Sequence, residues 1–580
     1  MKNIFTLVSK ICVVLFGILT ALVFTAGSIM NTNAAAVSNF LNAKTQIVVE
    51  DEEAEDIDNV YYKTDYSSVE EERKNAEKLC REVVSEGAVL LKNVENTLPL
   101  QSGATVSLFG AGCAEIAVGG GGSSMTSASY VNLKSALETA GLKINTALYD
   151  WYSANVGSGK TYGRKVGSGV GAKPSIGEAP WSVLPSAKSN KSDVALFVLT
   201  RIGSEDADSV ITGGDKSDMT NGNYLLLSPQ EITVLKGIKE EKSKGNVKKI
   251  VVLMNTSNQV QCDFIENNDY GIDAVLWCGT LGSTGSLAVG DILAGKVNPS
   301  GRLSDTFWNA HYLNPVYANF GYINPVDSSL GFTSYVFNGT TSSGANPINL
   351  DIYKYGKQFF VSYVVYQEGI YNGYRYTETR YEDKITKREN VGEFDYNAAV
   401  AYPFGYGLSY TSFSYSDFKA TYDAKTDEYE VTLKVKNTGK TEGKETVQVY
   451  LQKPYTAYDE RNGIEKSSVE LAGFAKTSLL KPNDEENVTI KVDKEFFASY
   501  DANGAKTYIL DAGDYYLTAA KNAHDAVNNI LAAKGKTTAD GMDEKGEASL
   551  VKKFELSFGS DEIDAKTYSV TDDPVKSGYK

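Results

Sequence analysis

The sequence predicts an α/β sandwich with a mostly parallel sheet, followed by an all-β fibronectin type III-like sandwich. Three observations carry this. Short apolar runs alternate with amphipathic helical patterns up to about residue 310, the rhythm of strand-helix-strand units. Alternation of period two takes over after Pro403, with turn residues between the runs. Between them, residues 311–400 are rich in Tyr, Asn and Gly and follow neither period, and are expected to be loops packed on the first domain.

In chain order, Ile11 to Met30 is an uncharged stretch of membrane-spanning length behind a basic start. Residues 1–30 are therefore a signal peptide or a signal anchor, with the rest extracytoplasmic, either secreted or membrane-anchored. Residues 31–65 form an acidic spacer. The α/β domain is assigned to 66–310. Ser68-x-x-Glu71 is a capping box opening a helix that Gly87 stops. Ala88 to Leu91 and Thr105 to Phe109 are strands, and a helix from about Tyr130 closes at Gly141. Val194 to Thr200 is a buried strand running into Arg201-Ile202-Gly203-Ser204-Glu205-Asp206-Ala207-Asp208. Ser228-Pro229-Gln230-Glu231 starts another helix. Ile250 to Asn255 and Ala274 to Cys278 are further strands, and a last helix runs from about Ser286 to Gly295. The β-sandwich occupies 401–530, and residues 531–580 read as a tail or linker with one strand at Phe554 to Phe558.

Ligands of open α/β sheets bind beyond the carboxyl ends of the strands, so the segment after Thr200 is placed for chemistry. Its carboxyl groups suit a general acid, a metal ligand or a solvated loop charge. The strand ending at Phe109 runs into Gly110-x-Gly112, but a dinucleotide fingerprint needs a third glycine where this chain has Glu115. The run Gly119 to Gly122 offers backbone that can approach a ligand closely. Arg201 can orient Glu205 or a sugar hydroxyl, or form a structural ion pair. Trp151 is a candidate for stacking on a sugar or for packing.

Composition narrows the partners. A net charge of −16 argues against nucleic acid and anionic membrane surfaces, and favours a neutral substrate. Two histidines leave little material for a zinc site or a Ser-His-Asp triad. No G-x-S-x-G follows any strand expected here, which disfavours an α/β-hydrolase. The five cysteines form no C-x-x-C pair.

EGAVLLKNVENTLPL (Glu86 to Leu100), the glycine run, RIGSEDAD, KVNPSGRLSDTF (Lys296 to Phe307), EGIYNGYRY (Glu368 to Tyr376) and YPFGYGLSYTSFSYSD (Tyr402 to Asp417) resemble, in order, the β-glucosidase-like family 3 glycoside hydrolases. The resemblance covers that family's α/β-sandwich and fibronectin type III-like domains, in the permuted domain order. It implies a retaining mechanism with a nucleophilic Asp on a (β/α)8 barrel, normally in Ser-Asp-Trp, and an acid/base Glu on the sandwich. Glu205 matches the acid/base. Asp206 replaces the second glycine of the family's Gly-Glu-Gly. Arg201, Asp206, Asp208, Gly120 and Gly121 are the candidate substrate-binding positions, and no metal or cofactor is expected because glycosyl transfer to water requires none. No Ser-Asp-Trp occurs in this chain, and Ser416-Asp417-Phe418 comes closest. The expected function is the sandwich portion of an extracytoplasmic β-glycosidase acting on an oligosaccharide or β-glycoside, with the nucleophile on a barrel that is either missing from this sequence, as in a fragment, or supplied by a separate barrel polypeptide as partner. The alternative is a membrane-tethered, non-catalytic carbohydrate-binding or scaffold protein.

Overall fold

The computed structural model describes residues 2–32, 65–121, 129–165, 175–203, 224–327, 334–337, 361–389 and 391–565. These residues divide into two compact units, with the boundary after Val69. The first contains helix α1 (Lys2–Thr32), in which Thr6–Met30 is long and apolar enough to cross a membrane. The acidic spacer lies almost entirely outside the described residues.

All but the first residue of α2 (Val69–Gly87) belongs to the second unit, and it is followed by β1 (Val89–Asn93) and β2 (Thr105–Phe109). Next come α3 (Leu133–Ala140), β3 (Lys143–Ile144), α4 (Thr146–Asn155) and β4 (Ser192–Arg201). The layer ends with α5 (Pro229–Ser243), β5 (Val247–Thr256), β6 (Ala274–Trp277) and α6 (Gly285–Leu293). The six strands form one sheet in the order β1-β6-β5-β4-β2-β3. Every pairing in it is parallel except that of β1 with β6. The two long central strands β4 and β5 have apolar centres, Val194 to Leu199 and Ile250 to Met254, that are buried on both faces, as a sheet covered by helices requires.

Helix ends follow their chemistry. Asn132, rather than Tyr130, caps α3 by accepting from the Ser135 N–H, and Gly141 closes it at φ +99°. At α5, Ser228 and Glu231 form the expected capping box with Pro229 inside it. Cys113, Cys262 and Cys278 are buried, and all five cysteines are free.

The β-sandwich consists of β7 (Phe413–Asp423), β8 (Glu428–Asn437), β9 (Thr446–Gln452), β10 (Glu470–Lys476), β11 (Glu485–Asp493), β12 (Gly513–Ala520) and β13 (Val551–Leu556). They pair as antiparallel sheets β7-β8-β11 and β10-β9-β12-β13. The inward residues Tyr429, Val431, Leu433 and Val435 alternate along β8 and fill the space between the sheets. Arg302, 2.7 Å from Glu445, and Glu86, paired with Lys444 and Lys476, tie the sandwich to the α/β layer.

Two expectations are corrected. Residues 531–565 are not a tail: β13 is the fourth strand of a sandwich sheet, and Leu531, Met542 and Leu550 are buried. Residues 374–402 are more than loops. The helix α7 (Tyr374–Thr386) packs on α8 (Ala523–Ala533) in a third core with Trp308, Tyr450 and Val527. Much of the α7–α8 contact is polar. His524 lies 2.8 Å from Glu378 and 3.0 Å from Asp543, while Tyr396 donates to Glu378 and Tyr381 to Asp543. Burial works against the imidazolium, but the two carboxylates outweigh it and push His524 up to about 10.

Candidate functional site

The sheet has one topological switch. After β2 the chain moves to the edge at β3, then crosses back to place β4 on the other side of β2, so the crevice opens beyond the carboxyl ends of β2 and β4. The segment after β2 leaves through Gly110 at φ +87°, where an added Cβ would lie 2.7 Å from the Val198 carbonyl oxygen. At Gly112 a Cβ would stand 2.6 Å from Thr200 Cγ2. The paired glycines therefore let this turn lie against β4. Sequence reasoning sets aside a phosphate loop there, and the packing supplies the reason for Gly-x-Gly.

Four post-strand segments converge on one point. The Gly121 N–H donates to the Gly203 carbonyl at 2.8 Å, joining the glycine run to the end of the β4 segment. The Gly203 N–H donates to Ser257 Oγ at 2.9 Å, just past β5. Asn255, fully buried at the end of β5, accepts from the Ala117 N–H and donates to the carbonyls of Ala117 and Gly279, so the segment after β6 is held as well. Gly120 is half-buried and Gly121 buried at this junction. Glu205, Asp206 and Asp208 lie outside the described residues, beginning two positions beyond Gly203 in the chain.

Arg201 takes the ion-pair alternative, which corrects its assignment as a substrate-binding residue. It is 2% exposed, and its two terminal nitrogens each meet one Glu231 oxygen at 2.8 Å. Its remaining donors go to the carbonyls of Thr200, Tyr224 and Leu226. All five guanidinium N–H groups are thus engaged within the protein, and none is left for a sugar. Tyr224 adds its hydroxyl, which accepts from the Ile202 N–H at 2.8 Å. Arg201 therefore joins the two chain segments that flank residues 204–223.

Glu178 is a residue that sequence reasoning missed. It is 5% exposed, accepts from the N–H of Ala111 at 2.6 Å and of Ala179 at 2.8 Å, and so holds the turn after β2. Burial raises its carboxyl to about 8, with Glu231 adding to the effect and the backbone bonds and Arg201 opposing it. Its only sequence signal is a carboxyl set among Ile176, Gly177, Ala179, Pro180 and Trp181.

The two raised groups set a pH dependence of stability. Glu178 contributes stability that is complete below its ordinary value of 4.5 and is lost as pH rises through about 8. His524 contributes stability that is complete below 6.5 and is lost as pH rises through about 10. Thermal unfolding followed across this range should show Tm falling on the alkaline side. Glu178→Gln should flatten the earlier part of the fall and His524→Gln the later part. A Tm slope unchanged in both variants would contradict these assignments.

A switch point framed by post-strand segments, on an α/β layer joined to a fibronectin-like sandwich, defines a two-domain α/β and all-β architecture with a candidate site at the sheet's carboxyl edge. The glycosyl hydrolase family 3 C-terminal domain matches residues 88–410, and the fibronectin type III-like domain matches 445–523. The chain belongs to glycosyl hydrolase family 3. Beta-glucosidase A of Butyrivibrio fibrisolvens is 30% identical over 487 residues, 78% of this chain and 50% of that protein. The beta-glucosidase of Ruminococcus albus is 30% identical over 454 residues, 77% of this chain and 39% of that protein. Among solved structures, beta-glucosidase 3B from Thermotoga neapolitana in complex with α-D-glucose aligns with a TM-score of 0.57 at 27% identity, covering 78% of this chain and 52% of that one. The chain thus spans half or less of the length of these two relatives.

Proposed function

We propose that this chain is the sandwich portion of an extracytoplasmic β-glycosidase that hydrolyses β-glucosyl or β-xylosyl units by a retaining mechanism. The observation that carries the reading is the junction of Gly121, Gly203 and Ser257 at the switch point, two residues before Glu205, in a chain whose relatives are β-glucosidases. Retaining hydrolysis needs two carboxyl groups about 5–5.5 Å apart, one attacking the anomeric carbon and one protonating the leaving oxygen. Glu205 is the acid/base. It protonates the aglycone oxygen in the first step and deprotonates water in the second. Asp206, if it shares the site, disfavours the ionised form of Glu205 by like-charge repulsion and keeps the acid loaded. Asp208, Gly120 and Gly121 contact the sugar, while Arg201 acts through the chain segments it joins. The nucleophilic Asp comes from a (β/α)8 barrel that these 580 residues do not include. Helix α1 holds the protein at a membrane or directs its export.

The test is turnover of aryl β-glucosides and β-xylosides by the full chain, with and without a family 3 barrel polypeptide. Hydrolysis that depends on the barrel supports the reading. Sugar binding with no turnover in any mixture would replace it with a membrane-tethered carbohydrate-binding or scaffold protein.

A further inference from the structure

A cavity of about 420 Å³ lies on the sandwich side of the molecule, between α7, the end of β9, residues 465–468 and the start of β12. Its volume falls within the range of about 300–1,000 Å³ in which small-molecule sites are found. None of its walls comes from the α/β sheet, so it is separate from the switch-point crevice.

Its lining is unlike a packing defect. Four carboxylates and four cations line it, and most are already paired: Lys534 lies 2.9 Å from Glu382 and Arg388 3.4 Å from Asp383 within the lining, while Lys453, Lys466 and Asp514 pair with Glu470, with Asp459 and Asp511, and with Lys553 behind it. A ligand of either net charge would gain little from such a wall, whereas a neutral one need not break these pairs. Tyr455 and Tyr516 present aromatic surface, and Arg388 and Lys534 sit over their rings at 5.5 and 5.2 Å, which holds the rings in place. Aromatic faces beside dense donors and acceptors suit a molecule that has both C–H faces and hydroxyl edges.

Ser468 supplies an independent observation. It lines the cavity, is 4% exposed, and its hydroxyl has no hydrogen-bond partner. Its backbone is fully engaged, the N–H donating to Thr379 Oγ1 and the carbonyl accepting from Gln452 Nε2. A buried hydroxyl left in this way calls for a group that completes it. Asp383 points the same way, since burial raises its carboxyl despite Arg388 and a hydroxyl donor would relieve it.

We propose that this cavity is a second binding site for a neutral saccharide, distinct from the Glu205 segment and independent of whether that segment is catalytic. It would hold a sugar on the sandwich while the crevice works on another.

The test is calorimetric titration of the full chain in detergent with cellobiose, comparing the parent with Ser468→Ala, Tyr455→Ala and Glu205→Gln. Ser468→Ala removes a hydroxyl that bonds nothing in the protein, so its thermal stability should match the parent. One lost hydrogen bond to the sugar should weaken binding roughly threefold to tenfold. Tyr455→Ala should weaken it as well. Weaker cellobiose binding in both cavity variants supports the site, whatever Glu205→Gln does. No binding to the parent, or binding unchanged in Ser468→Ala and Tyr455→Ala, overturns it.

Discussion

Glu205→Gln, assayed with the barrel polypeptide present, is expected to lose about 10²–10⁴-fold in turnover of substrates with poor leaving groups. The size follows from what the proton does. An alkoxide departing from the anomeric carbon is a strong base, and without a positioned acid it must leave with its charge uncompensated. A nitrophenolate leaves without help. The first step on a nitrophenyl β-glucoside should therefore survive the substitution, the glycosyl-enzyme should accumulate, and the second step should limit the rate because no base activates water. A burst followed by slow turnover on nitrophenyl substrates, with near silence on cellobiose, is the expected pattern. Equal loss on both substrates would point to a binding role for Glu205.

The second large effect concerns stability. Glu231→Ala should destabilise the second unit by about 3–5 kcal/mol, because it leaves the Arg201 charge buried without its counterion. The same substitution removes half of the capping box of α5, adding to the loss. Replacing the pair together, Arg201→Met with Glu231→Leu, should recover only part of it. The ion pair itself would no longer be missed, but the carbonyls of Tyr224 and Leu226 would lose the donors that Arg201 gives them. Urea unfolding of the single and double variants measures this directly. A cost below about 1 kcal/mol for Glu231→Ala would show the pair to be dispensable.

The parts of the fold that were legible in the sequence are those whose buried residues are apolar and regularly spaced. The strands ending at Phe109, Arg201 and Thr256 each contain an apolar stretch, Val194 to Leu199 and Ile250 to Met254 in the longer two, and β8 alternates, so period separates the two architectures. The region around α7 was illegible for the opposite reason. Its inward face is Thr377, Glu378, Tyr381 and Ile385, and one of its partners is a histidine more than a hundred residues away. Periodicity of apolar residues cannot reveal a helix that buries a carboxylate. Residues 531–565 were misread as a tail because β13 alternates Lys and Glu with partly buried Val, Phe and Leu, a pattern common to edge strands and linkers.

The site was legible in part. A strand that stops abruptly before a polar, acid-rich segment marks where a parallel sheet places its chemistry, and the glycine run does meet that segment, through Gly121 and Gly203. The fate of Arg201 was not legible. Whether a guanidinium at a strand end reaches a ligand or a structural carboxylate depends on where residue 231 lies in space, and the capping box at Ser228 already places Glu231 at the start of its helix without revealing its second bond. Glu178 was hidden for a similar reason, since its partners are backbone N–H groups, which every residue except proline has.

The most direct measurement is rescue of the Glu205→Gln variant, with the barrel polypeptide, by sodium azide on a nitrophenyl β-glucoside. Azide needs no general base, so it should attack the accumulated glycosyl-enzyme, accelerate turnover and give the β-glucosyl azide, the anomer that retention requires. Turnover unchanged by azide, or an α-glucosyl azide as product, would contradict the assignment of Glu205 as the acid/base of a retaining glycosidase.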